Sequence, residues 1–232
     1  MNILQYLESL NNDSQKIFDE STKLNTKLGE LHNYATHIYE FAQIINDIQE
    51  REMLITVSGQ LESAMYILSL GLYRQAFSSL RLAFEMGLAA IYFSAYKLEM
   101  QEWLLGSNDI KWSRLIDEDN GVLSERFLRA FYEECSADAI KYNAIAKSTY
   151  RQLSEFVHGN RETWVKDGIK LQYNEDLIDM YLRYHKHVVQ IILLVAFCRY
   201  KSMITEEIKD DVDFIAEIFN HIKEIRNFFG QS

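Results

Sequence analysis

The chain has 232 residues, 48% of them apolar and 25% charged, a balance that excludes wholesale disorder and leaves room for one domain with a sizeable core. A formal net charge of −10 excludes a broad nucleic-acid footprint, which would need many Lys and Arg contacts to phosphate, but not a small site acting on RNA. Two cysteines, Cys135 and Cys198, are too few for a disulfide scaffold, and the start MNILQYLESL reads as no secretion signal, so a reduced, cytoplasmic protein is expected.

Proline is absent, so every helix can run uninterrupted, and the fold class read from the sequence is all-α. Residues 14–50 read as one long helix, with Ile17, Leu24, Leu28, Leu31, Ile38, Phe41, Ile45 and Ile48 forming a heptad-like seam. Such a helix would be roughly 55 Å long at about 1.5 Å per residue. Its seam either folds back on its own chain or serves as a pairing arm for a second protomer. We therefore divide the chain into an N-terminal arm, 1–51, and a helical domain, 52–232.

Residues 52–70 form a second amphipathic helix that Gly71 should stop. The apolar stretch 72–97 contains Arg74, Ser78, Arg81, Glu85 and Tyr92 between roughly 100° and 160° of one helical face. Short helical pieces around Gly106 follow, then a helix over 121–134. Ser136 should start a helix running to His158, with Gly159 as its stop. Residues 160–173 read as a loop bordering that helix end, with two short extended stretches about Asp167-Gly168. Long helices are expected over 173–202 and, with Thr205 as N-cap, over 205–229. The longest apolar run, Val188 to Cys198, is interrupted by Gln190 and falls short of the roughly 20 residues that span a bilayer, so no membrane partner is expected.

The chemistry-bearing stretch is KSTYRQLSEFVHGN, residues 147–160. Seven residues bring a helix back to within roughly 20° of its starting direction, so Arg151 and His158 share a face two turns apart. Measured from Leu153, Lys147, Arg151, Ser154 and His158 fall at about 120°, 160°, 100° and 140°. Tyr142, Ala146, Phe156 and Val157 cluster with Leu153 on the core side. The surrounding segment, 141–170, is locally basic, with Lys141, Lys147, Arg151, Arg161, Lys166 and Lys170 against Glu155, Glu162 and Asp167. A histidine can move a proton near neutral pH, and an arginine supplies a permanent planar charge for a phosphoryl group gaining negative charge. The bland alternative is an Arg151–Glu155 pair at i,i+4 on an ordinary solvated face.

Other chemistries lack their residues. His32 and His37 are five apart and His185 and His187 two apart, so neither pair matches a helical zinc site, and no metal or cofactor is expected. His185, His187 and His221 read as surface or interhelical residues. There is no Gly-rich phosphate loop and no Gly-x-Ser-x-Gly elbow.

An all-helical domain with Arg151-x6-His158, an LS-x-x-V-H-G ending (Leu153 to Gly159) and the upstream LYRQAFSSLRLAFE (72–85) resembles a bacterial branch of the HEPN superfamily, the higher eukaryotes and prokaryotes nucleotide-binding domains. The resemblance covers roughly residues 52–202. It implies a HEPN-like helical bundle and a metal-independent ribonuclease, a toxin or anti-phage effector acting as a homodimer with the motifs facing each other. Arg151 and His158 carry over as the catalytic pair, with Lys147, Ser154, Asn160, Arg81 and Glu85 in supporting or RNA-binding roles, and a partner protein that restrains or triggers it. Gln152 stands where active members often carry Asn, Asp or His after the arginine. Asn160 stands where one toxin class has a tyrosine. The competing expectation is a non-catalytic sensor, adaptor or dimerisation module in which Arg81, Glu85, Arg151 and His158 form one buried polar network.

Overall fold

A computed structural model describes residues 2–158 and 171–230. The described residues are all-α, without strands: α1 (Ile3–Ser21), α2 (Asn25–Gln43), α3 (Ile48–Ser69), α4 (Tyr73–Ala95), α5 (Lys97–Leu104), α6 (Trp112–Leu115), α7 (Glu125–Phe131), α8 (Ala139–His158), α9 (Glu175–Tyr200), α10 (Phe214–Ile218) and α11 (Lys223–Phe228). Helix α4 is the central element, packed against α3, α8 and α9, while α2 closes the bundle against α3 and α9.

The single helix expected over 14–50 is instead three pieces. A 3-10 turn at Thr22–Leu24 separates α1 from α2. Ser21, Thr22 and Asn25 all have short polar side chains that compete with helical backbone bonds, and the Thr22 hydroxyl donates to the Asp19 carbonyl at 3.1 Å. The second break falls before Asp47, whose carboxylate accepts from the amides of Gln49 and Glu50 at 2.9 and 3.2 Å and so caps α3. The seam folds back on its own chain: Leu31, Ile38, Phe41 and Ile45 are fully buried in the shared core, as is Ala35 beside them, while Ile48 at the start of α3 is exposed. Residues 31–45 of the segment read as an arm therefore belong to the body of the bundle. Only the start of α1 stands clear, with Ile3, Leu4 and Leu7 more than half exposed.

Gly71 ends the α3–α4 turn at φ 80°, the left-handed value that glycine tolerates. Gly87 has a different reason to be glycine, because α4 and α9 approach there. A Cβ at this position would overlap the side chain of Ile192, lying 2.7 Å from its Cγ1, and Ile192 is fully buried. Gly87→Ala is expected to destabilise the fold by about 1–3 kcal/mol through overpacking. Urea denaturation of Gly87→Ala and of the Gly87→Ala/Ile192→Val pair checks this, since valine lacks the Cδ1 nearest the clash. With Ile192→Val measured alone as well, a cost of Gly87→Ala as large in the valine background as in the parent would refute the account.

The expected C-terminal helix over 205–229 does not form as one unit. Thr205 caps no helix; two 3-10 turns, Lys201–Met203 and Asp210–Val212, precede α10 and α11. A continuous helix would stack Glu206 over Asp210, Glu207 over Asp211 and Asp213 over Glu217, all like-charge i,i+4 pairs that oppose helix formation. The apolar residues of the segment still pack inward, with Val212, Ile215, Phe219 and Ile222 buried and Ile208 and Phe229 partly so.

Candidate functional site

Helix α8 begins at Ala139, three residues after the expected Ser136, following a 3-10 turn over Glu133–Asp138. Its inner face buries Ala139, Tyr142, Asn143, Ala146, Thr149 and Leu153. Asn143 donates to the Ile116 carbonyl at 3.1 Å, and the Phe156 ring stacks on Phe77 of α4 with centroids 3.8 Å apart. These contacts fix the rotation of the helix and turn the opposite face to solvent. Arg151 and His158 are both exposed on that face. Val157, expected on the core side, is instead 37% exposed because α8 ends there and no described neighbour covers it.

The supporting residues divide into three groups. Lys147 lies on the same face and pairs with Glu118 of the loop between α6 and α7 at 2.5 Å. This pair is exposed, worth at most about 1 kcal/mol, so a phosphate can replace the carboxylate at small cost. Ser154 donates its hydroxyl to the Tyr150 carbonyl one turn back at 2.7 Å. Asn160 lies outside the described residues, as do Gly159 and the expected loop as far as residue 170.

Arg81 and Glu85 are not brought to Arg151 or His158. They meet α8 at Tyr150, which the sequence reading passed over. The Arg81 guanidinium donates Nε–H to Glu85 at 3.2 Å and Nη2–H to the Tyr150 hydroxyl at 2.5 Å. That hydroxyl donates in turn to Glu85 at 2.7 Å. The Tyr150 ring is stacked on Trp112, centroids 3.7 Å apart and nearly parallel, and carries the guanidinium carbon of Arg81 4.5 Å from its centroid. Burial, and then the carboxylate of Glu85, push the Tyr150 phenol up to about 12, so it stays protonated as a donor. The cluster is a half-buried pin between α4, α6 and α8. A buried network of all four residues, Arg81, Glu85, Arg151 and His158, is therefore not formed: the first two are satisfied by Tyr150 and the last two face water. The i,i+4 pair between Arg151 and Glu155 is also not among the ion pairs of the described residues.

Arg74, on the same face of α4 as Arg81, reaches the other end of α8. It donates Nε–H to the Phe156 carbonyl at 2.9 Å and Nη2–H to the Val157 carbonyl at 3.2 Å. Sequence reading had placed Arg74 on the polar face of α4 but could not pair it with carbonyls 82 and 83 residues away. Gln152 turns towards α9, where its amide oxygen accepts from the Tyr184 hydroxyl at 3.5 Å.

Of the histidines of α9 and the C-terminal segment, His185 is interior, His187 half-buried and His221 exposed. His187 lies beside the Thr149 hydroxyl at 3.4 Å and His221 beside the Tyr142 hydroxyl at 3.1 Å. Burial lowers both imidazoles from their ordinary value. The two cysteines are buried beside each other. Their mutual hydrogen bond and burial hold the Cys198 thiol well above its ordinary value, which keeps it protonated and unreactive.

Fold and site together define an all-α bundle whose α8 presents Arg151 and His158 exposed over its last two turns, with a half-buried Lys147 one turn before them on the same face. Comparisons with protein-family models, with curated proteins and with solved structures found no match.

Proposed function

We propose that this protein is a metal-independent ribonuclease of the HEPN type, acting as a homodimer in toxin or anti-phage defence. The observation that carries the reading is the shared exposure of Arg151 and His158 on one face of the last two turns of α8, opposite its core face. RNA needs no metal for this cleavage. Its 2′-OH attacks the adjacent phosphate when one group takes the hydroxyl proton and another stabilises the phosphorane, whose P–O5′ bond then breaks to leave a cyclic phosphate and a 5′-OH. His158 moves the proton, Arg151 holds the phosphorane oxygens, and Lys147 exchanges Glu118 for a flanking phosphate. Two copies with their α8 ends facing each other supply two histidines and two arginines to one strand.

Purified protein is expected to cleave RNA in the presence of a chelator, and His158→Ala and Arg151→Ala each to slow it by about 10²-fold or more. Both side chains are exposed, so the melting curves should stay within about 0.5 kcal/mol of the parent. A parent that cleaves no RNA, alone or with a restraining or triggering partner removed or supplied, overturns the reading. The second reading is a non-catalytic helical adaptor. Its support is that Arg81 and Glu85 are spent on the Tyr150 pin, leaving the exposed Arg151 and His158 as a small basic patch on an acidic protein.

A further inference from the structure

The last turn of α8 is held by α4 from two directions. On the inner side, the Phe156 ring lies flat against the fully buried Phe77, interplanar angle 8°. At the end, Arg74 from the first turn of α4 donates two N–H groups to the carbonyls of Phe156 and Val157. Both carbonyls belong to the last four of the helix, which have no intrahelical donor, and a cation there also complements the helix dipole. Val157 and His158 are exposed, so among the described residues these two anchors are what define the direction in which the His158 side chain leaves the helix.

We propose that Arg74 is the positioning residue of His158, clamping the last turn of α8 so that the imidazole keeps a fixed relation to Arg151. The proposal rests on the ribonuclease reading for its catalytic consequence, but not for its geometry. Arginine is needed because two carbonyls one residue apart take two N–H groups of one planar fork. A lysine presents the same charge on a single ammonium and lacks that fork.

With a defined RNA oligonucleotide, Arg74→Ala is expected to lower kcat by about 10²-fold with KM little changed, the size of effect that a misplacement of about 1 Å produces. Arg74→Lys should remain about tenfold below the parent. An unchanged kcat, full recovery by lysine, or a rise in KM alone would each overturn the clamp, the last by making Arg74 a direct phosphate contact. A second readout does not depend on cleavage: the carbon-13 relaxation order parameter of the His158 ring, with the buried His185 ring as internal control. It should fall in Arg74→Ala for His158 only, and an unchanged His158 value refutes the inference. If the parent cleaves no RNA, the ribonuclease reading fails while this ring measurement still decides the role of Arg74.

Discussion

Acidification from pH 6.5 towards pH 3 is expected to strip stability from the bundle, and replacing His185 with leucine is expected to remove much of that dependence. His185 sits in the middle of α9 with no exposed surface, and neither ring nitrogen has a hydrogen-bond partner among the described residues. Its neighbours are the rings of Tyr34 from α2 and Tyr181 from α9, and the Tyr181 hydroxyl is equally buried and, among the described residues, equally without a partner. Burial alone lowers the imidazole from 6.5 to about 3. A group lowered on folding contributes its stability above the unfolded value. Between pH 6.5 and 3 the unfolded chain binds a proton that the folded chain refuses, so stability falls as pH falls, by up to about 1.4 kcal/mol per pH unit.

His187 and His221, lowered by partial burial, act in the same direction over the start of that window. The carboxylates of Asp47 and Asp117 are also lowered, and their contribution is lost further down, below pH about 4. Urea denaturation at half-unit pH steps separates these terms. His185→Leu should flatten the slope between pH 6 and about 4.5 and, by removing two orphaned polar atoms, should cost little or gain stability at pH 7. Parallel curves for parent and variant would show that His185 does not carry the acid response.

The second large effect is expected at Glu50, whose side chain is 4% exposed at the start of α3. One oxygen pairs with Lys97 at the start of α5, and the other accepts from the hydroxyl of Tyr200 at 2.7 Å, at the end of α9. Lys97 also donates to Asp47 at 3.1 Å. Burial works to lower the Lys97 ammonium, and the two carboxylates more than offset it, raising the group above its ordinary value. Burial and Glu50 together raise the Tyr200 phenol, so the proton stays on the tyrosine.

Glu50→Ala therefore orphans a fully buried phenol and leaves a hole. Lys97 is half exposed and keeps water and Asp47, so the full penalty of a stranded buried charge does not apply. We expect a loss of about 3 kcal/mol for Glu50→Ala and about 1 kcal/mol for Glu50→Gln, which still accepts from Tyr200. Equilibrium denaturation of the two variants and of Tyr200→Phe measures this. Equal losses for alanine and glutamine would mean that the charge, and not the acceptor for Tyr200, is what matters.

Much of the candidate site was legible because helical phase is local. Arg151 and His158 lie on the solvent face and Leu153 on the core face, as a period of 3.6 residues requires, whatever packs against α8. What was not legible concerned neighbours. Arg81 and Glu85 were expected to support Arg151 and His158 or to join them in one network, and they pin Tyr150 instead, because only the antiparallel packing of α4 on α8 decides which turn of one meets which turn of the other. His185 looks no different from His187 in the sequence, two residues away, yet one is fully enclosed and the other half so.

The sequence by itself determined the all-α class, the stop at Gly71 and the exposed Arg-His face, since helix propensity, glycine stereochemistry and periodicity act within a few residues. The breaks at 22–24 and 44–47 were written in its short polar residues, but a longer apolar seam masked them. Only the tertiary structure decided that α2 lies in the core, that Arg74 caps α8 and that Glu50 joins three helix ends. Each of these depends on partners tens of residues apart, up to 150 for Glu50 and Tyr200, that the chain brings together only when its apolar faces are buried at once.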